Sequence, residues 1–171
     1  MLIRNLLCLA VLLLNCNLVF AEWAPASKLG FSRPPNIELK DLNGKTIHLN
    51  DYKGKVVLVN FWATWCESCK EEFSKLIQLQ EKYGSRGLVI LAVNLAESKP
   101  KIQTFLKSHL FPENIFDIAL DNSSLTYKEW KARGIPTSYL VNQQGRIQEF
   151  WVGTFEADDA KFIQALEKTL Q

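Results

Sequence analysis

The sequence predicts an α/β fold in which helices flank a mixed central sheet. Two apolar, β-branched runs, Val56–Phe61 and Leu88–Asn94, have the composition of strands buried on both faces. Between them, residues 66–83 place Cys69, Phe73, Leu76, Ile77 and Tyr83 on one face of a helix. Strand, helix and strand in that order make a parallel crossover. Later, Thr137–Asn142 and Arg146–Val152 flank Gln143-Gln144-Gly145 as an antiparallel hairpin. Parallel and antiparallel pairs in one chain make the sheet mixed.

The other elements follow in chain order. Residues 22–35 contain Pro25, Pro34 and Pro35 and little periodicity, which predicts a linker. Residues 36–40 and 45–49 flank Asp41-Leu42-Asn43-Gly44. Asn43 and Gly44 tolerate positive φ, so these runs form an N-terminal β-hairpin. Gly84 and Gly87 punctuate the end of the long helix. Ser98 caps a helix reaching about His109, with Pro100 tolerated in its first turn. That helix and the strand Phe116–Leu120 form an αβ insertion. Ser123–Lys131 reads as a short helix. Glu156–Leu170 closes the chain as an amphipathic helix with Phe162, Ile163, Leu166 and Leu170 inward. Neither an internal repeat nor a low-complexity segment interrupts residues 36–171, which read as one domain.

The chain of 171 residues fits a single domain, and 47% apolar residues supply one sizeable core. A net charge of +2 gives no basic surface for nucleic acid. The first 21 residues are unlike the rest. Arg4 is their only charge, Leu6–Leu14 is almost continuously apolar, and Val19-Phe20-Ala21 follows. This is the pattern of a secretory signal peptide cut after Ala21, with an uncleaved N-terminal membrane anchor as the alternative. The apolar stretch, interrupted at Asn15 and Asn17, is short for a span of about 20 residues. Lipidation at Cys16 is disfavoured, because Asn15 stands where a small residue is usual. Removing the leader takes away Arg4 and no acid, which leaves a net charge of +1. The location expected is periplasmic or otherwise extracytoplasmic.

Four cysteines are present: Cys8 and Cys16 in the leader, and Cys66 and Cys69 beyond it. One close pair is too few for a disulfide-stapled scaffold. The pair follows a strand and opens a helix, where unpaired N–H groups and partial positive charge stabilise a thiolate. Cys66 at the helix start is expected to be exposed and nucleophilic. Cys69, within the apolar stripe, is placed to attack a mixed disulfide from behind and release the partner. A structural disulfide closing so small a loop would stabilise little. A zinc site needs about four ligands, and His48 and His109 lack paired spacing. Redox exchange is therefore the reading of the pair, with no metal and no cofactor.

Glu72 lies three residues after Cys69 at the edge of the apolar stripe, whereas Glu71 points away. Partial desolvation raises a carboxyl pKa, and such a group can move a proton at Cys69. A solvated helix-edge glutamate is the alternative. Pro136, in Gly134-Ile135-Pro136-Thr137, stands at a strand start, with trans as the default for its peptide bond.

The run Phe61-Trp62-Ala63-Thr64-Trp65-Cys66-Glu67-Ser68-Cys69, the Gly134–Thr137 segment and Gly145 resemble the thioredoxin superfamily. More narrowly, the chain resembles its exported, membrane-associated TlpA/ResA/CcmG-type branch, from about residue 35 onward. The resemblance implies a thioredoxin-like fold and a protein-disulfide reductase or interchange enzyme outside the cytoplasm. Its partners would be disulfide-bearing clients, among them apocytochrome c before haem attachment, and a membrane electron donor. By the same resemblance Cys66 is the nucleophile and Cys69 the resolving thiol. Pro136 is a cis-proline facing the disulfide, Ile135 pairs with the bound client chain, and Trp65 precedes the nucleophile. Asn60 replaces a buried aspartate, Glu72 matches an active-site helix glutamate, and Glu97 matches a loop glutamate that a solvated role also explains.

One departure is Ser68, where most relatives carry proline; it adds an N–H and a hydroxyl near the sulfurs. Glu67 opposes the helix dipole and keeps the Cys66 pKa from falling far, which favours a reductant or weak exchanger. Two alternatives are a thiol peroxidase and a copper carrier. The first needs Pro and Thr where Val59 and Ala63 stand, and the second a partnered His or Met, yet the sole methionine is Met1. Trp62, Trp130 and Trp151 read as packing residues.

Overall fold

The computed structural model describes residues 22–112 and 114–171. The leader, with Cys8 and Cys16, lies outside the described residues. The elements are β1 (Glu22–Pro25), β2 (Glu38–Asp41), β3 (Thr46–His48), β4 (Val56–Trp62), α1 (Glu67–Tyr83), β5 (Leu88–Leu95), α2 (Lys99–Ser108), β6 (Asp117–Asp121), α3 (Leu125–Glu129), β7 (Thr137–Val141), β8 (Ile147–Val152) and α4 (Ala160–Thr169). The strands form one sheet in the order β1-β8-β7-β4-β5-β6-β2-β3. β4, β5 and β6 are parallel, and every other pairing is antiparallel. The mixed sheet, the N-terminal hairpin and the αβ insertion are therefore all present.

β4 shows why its sequence carries no alternation. Val56, Leu58 and Trp62 face the core formed with α1, α2 and α4, while Val57, Val59 and Phe61 face a second core around Trp130 and Tyr139. Every residue of β4 is buried. Asn60 is the one polar side chain in the strand, and it points toward α1. Trp62 is packed against Phe73 and Phe105, and Trp151 against Phe162. The tryptophans read as packing residues do pack.

Three boundaries differ from expectation. Residues 22–35, expected as a linker, begin with β1, which pairs with the edge of β8; Ala24, Ala26 and Leu29 are buried. A strand this short, ending at Pro25, shows no periodicity, and the free edge of β8 supplies the partners that order it. α4 starts at Ala160 rather than Glu156, because the Asp159 carboxylate accepts hydrogen bonds from the N–H groups of Lys161 and Phe162. A cap of that kind is worth about 1 kcal/mol. α3 is shorter than residues 123–131: Ser124 and Lys131, at φ 55° each, bracket it, and the buried Asp121 carboxylate accepts from Tyr127 N–H.

The register brings one end of the sheet together. Phe61 lies opposite Thr137, Thr137 opposite Val152, and Trp62 opposite Asn94. The segments that follow β4, β5 and β8, and the one that precedes β7, therefore meet at the same end. No helix among the described residues is long and apolar enough to cross a membrane.

Candidate active site

β4 ends at Trp62, and the chain turns through Ala63, Thr64 and Trp65 into α1. Cys66 is the N-cap: its sulfur accepts a hydrogen bond from Cys69 N–H at 3.2 Å, and its carbonyl accepts from Lys70 N–H at 3.2 Å. A sulfur here takes the place of the usual cap oxygen and sits at the positive end of the helix. Cys66 and Cys69 are joined by a disulfide, S–S 2.12 Å.

Cys66 is less open than expected. It is 7% exposed, against 2% for Cys69. The carbonyl oxygen of Ile135 lies 3.7 Å from its sulfur and the Ser68 hydroxyl 3.4 Å away. The exposed group is Trp65, at 65%. The Glu67 carboxylate, expected to oppose the helix dipole, is paired with Lys70 at 2.7 Å, which offsets its field. The Ile135–Pro136 peptide is cis, so the trans default does not hold. It precedes β7 beside the sulfurs, and Gly153 N–H donates to the Pro136 carbonyl.

Glu72 is buried outright, at 1% exposure, rather than at the helix edge. Asn60 Nδ2 donates to its carboxyl at 2.8 Å and to Ser138 Oγ at 2.8 Å, and Phe155 N–H reaches the other carboxyl oxygen at 3.4 Å. Burial pushes the Glu72 pKa up to about 8, against the opposing pull of Asn60, Phe155 and Lys75. At neutral pH the carboxyl in this disulfide form is thus mainly protonated. Glu97 is also buried, so the solvated-loop alternative fails. Burial alone would raise its pKa, but Lys101, Thr64 and Asn94 outweigh that and hold it below the usual carboxylate range.

Asn60 was legible as a replaced aspartate, but its role as a donor to Glu72 was not. A lone amide in an apolar strand is the available signal, since a buried amide needs partners. Ser138 and the Phe155 N–H carry no local signal, because the sheet register and the loop after β8 bring them in. His48, on the edge strand β3, faces Glu38 at 4.0 Å, and His109 stacks on Phe111; neither joins the sulfurs.

After reduction, Cys66 is expected to be the readily alkylated thiol near neutral pH, because it caps the helix and is the more exposed of the two. Brief iodoacetamide treatment followed by mass mapping checks this. Preferential labelling of Cys69 would reverse the roles.

The sequence model of the AhpC/TSA family matches residues 32–150. The thiol-disulfide oxidoreductase ResA of Bacillus subtilis (strain 168) is 39% identical over 123 residues, which are 72% of this chain and 67% of that protein. ResA of Geobacillus thermodenitrificans (strain NG80-2) is 32% identical over 130 residues, 76% and 73% of the two chains. Among solved structures, one described as the thiol:disulfide interchange protein DsbE from Chlorobium tepidum superposes with a TM-score of 0.74 at 31% identity, covering 82% of this chain and 96% of its own. StoA from Bacillus subtilis gives 0.64 at 26% identity, covering 78% and 99%.

Proposed function

The chain belongs to the AhpC/TSA family and is a thiol–disulfide oxidoreductase, and from that premise we propose that it reduces client disulfides outside the cytoplasm. The observation that carries the reading is the Cys66–Cys69 disulfide at the N-cap of α1, beside exposed Trp65 and the Ile135 carbonyl. The apolar leader supports the location.

In the reduced protein the Cys66 thiolate attacks one sulfur of a client disulfide. A bond forms between Cys66 and that sulfur, and the other client sulfur leaves as thiolate. Cys69 then attacks Cys66 Sγ and expels the first client sulfur. The client gains two electrons and leaves as two thiolates, which take their protons from solvent, and the protein is left with its disulfide. Glu72, one turn beyond Cys69, takes the Cys69 proton. The disulfide form with a protonated Glu72 is the state that transfer leaves behind. A dithiol donor reverses the steps, and Glu72 returns the proton to Cys69. Ile135 and Pro136 line the client chain against Cys66, and Trp65 offers an apolar contact. Apocytochrome c, whose haem-attachment cysteines must be reduced, is the client class we favour, with a membrane thiol donor upstream.

Insulin reduction supplied with dithiothreitol tests the activity. Pro136→Thr is expected to leave the fold but lower turnover about tenfold or more, because a side-chain hydroxyl and a changed backbone would disturb the surface facing the sulfur. Unchanged turnover would remove Pro136 from the client site. Hydrogen peroxide in place of insulin is expected to be consumed poorly, since Val59 and Ala63 cannot polarise it; rapid peroxide turnover would favour the peroxidase reading.

A further inference from the structure

In the exposed run Ala96–Pro100 that follows β5, Glu97 alone is buried. Ala96 takes φ 52°, a conformation L side chains rarely adopt, and its N–H is held by the Asp121 carbonyl. That kink turns Glu97 inward. Four donors converge on its carboxylate. Thr64 N–H and Asn94 Nδ2 reach Oε2 at 2.7 and 2.9 Å, and Thr64 Oγ1 and Lys101 Nζ reach Oε1 at 2.7 Å each. A buried charge is tolerated only when satisfied in this way.

Two of the four bonds come from one residue, and it stands two places before Cys66. The turn it occupies is otherwise closed by a single backbone bond, Cys66 N–H to the Ala63 carbonyl at 3.2 Å. In the oxidised protein the disulfide also pins Cys66. Reduction removes that covalent restraint but none of the groups that make the Glu97–Thr64 bonds.

We propose that Glu97 is a positioning residue for disulfide exchange: acting through Thr64, its carboxylate holds the turn at residues 63–65 so that the reduced Cys66 sulfur stays at the N-cap of α1, facing the Ile135 carbonyl. The proposal rests on Cys66 being the attacking sulfur. The clamp matters most in the dithiol form, where nothing covalent holds the nucleophile.

Four variants separate reach from charge. Glu97→Asp keeps the charge and loses the reach to Thr64, and Glu97→Gln keeps the reach and loses the charge. Thr64→Val deletes the hydroxyl donor while leaving Glu97 paired with Lys101, and Thr64→Ser restores it. Two rates are measured for each: reaction of the reduced protein with oxidised glutathione, and reduction of the disulfide form by dithiothreitol. Glu97→Asp and Thr64→Val are expected to slow the first about tenfold and the second by less than about twofold. Glu97→Gln is expected to lie between Glu97→Asp and the parent, and Thr64→Ser to recover most of the Thr64→Val loss. Parental rates for both Glu97→Asp and Thr64→Val, or equal slowing of both reactions, would overturn the proposal, equal slowing being the mark of a merely structural role. If Glu97→Asp does not fold, the Thr64 pair decides the matter alone. Labelling of Cys69 instead of Cys66 in the parent would sink the role assignment beneath the proposal, and is read without any variant.

Discussion

Cys69→Ser is expected to turn the protein into a covalent trap, whereas Cys66→Ser reacts with nothing. The two sulfurs have different surroundings. Both lie in the core that contains Trp62 and Phe73, but Cys66 caps α1 beside the Ile135 carbonyl and is 7% exposed, against 2% for Cys69. With Cys69 removed, Cys66 still attacks a client disulfide, but no neighbouring thiolate expels the client. Turnover in the insulin assay should fall on the order of 10³-fold or more in either variant, since neither can complete the cycle. Non-reducing electrophoresis should show a client adduct on Cys69→Ser alone, released by dithiothreitol. An adduct on Cys66→Ser in place of Cys69→Ser would exchange the two roles. In cells, the captured partner also identifies the client.

Glu72→Gln is expected to change both the kinetics and the pH dependence of stability. In the folded disulfide form the pKa is about 8, against an unfolded carboxyl near its ordinary value of 4.5. Between those values the folded state holds the proton that the unfolded state has released. Stability from this group is therefore greatest at and below about pH 4.5, falls as pH rises toward 8, and is level above that. The slope is at most about 1.4 kcal/mol per pH unit. Glutamine still accepts the Asn60 hydrogen bond and does not titrate. Denaturant melts of the oxidised proteins from pH 5 to 8 should show the parent losing ground relative to Glu72→Gln as pH rises. Parallel curves would mean that Glu72 does not carry the proton assigned to it. In stopped-flow exchange the same variant is expected to resolve mixed disulfides about tenfold or more slowly, with its dependence on pH altered. An unchanged profile would leave the Cys69 proton without an acceptor.

What the sequence by itself determined is local. The buried strands β4 and β5, the long helix between them and the helix-capping position of Cys66 all follow from apolar patterning and from short-range turn chemistry. So does the hairpin at Asn43-Gly44, where Gly44 takes φ 82° and Asp41 accepts from Asn43 and Lys45 N–H. The pairing of Cys66 with Cys69 is local too, since only Glu67 and Ser68 lie between them at the start of α1. Only the tertiary structure decided the environment of each acid. Glu72 and Glu97 are both glutamates beside apolar sequence, yet burial leaves one protonated near neutrality while four donors keep the other charged. Their partners, Asn60, Ser138 and Phe155 for the first and Thr64, Asn94 and Lys101 for the second, are gathered largely by strand register and by loops meeting at one end of the sheet. β1 belongs to the same class, because its order comes from the edge of β8. Patterning reports which face of a segment is apolar. A carboxyl's charge and a short strand's order depend on which distant groups donate to it, and that is set only when the chain closes.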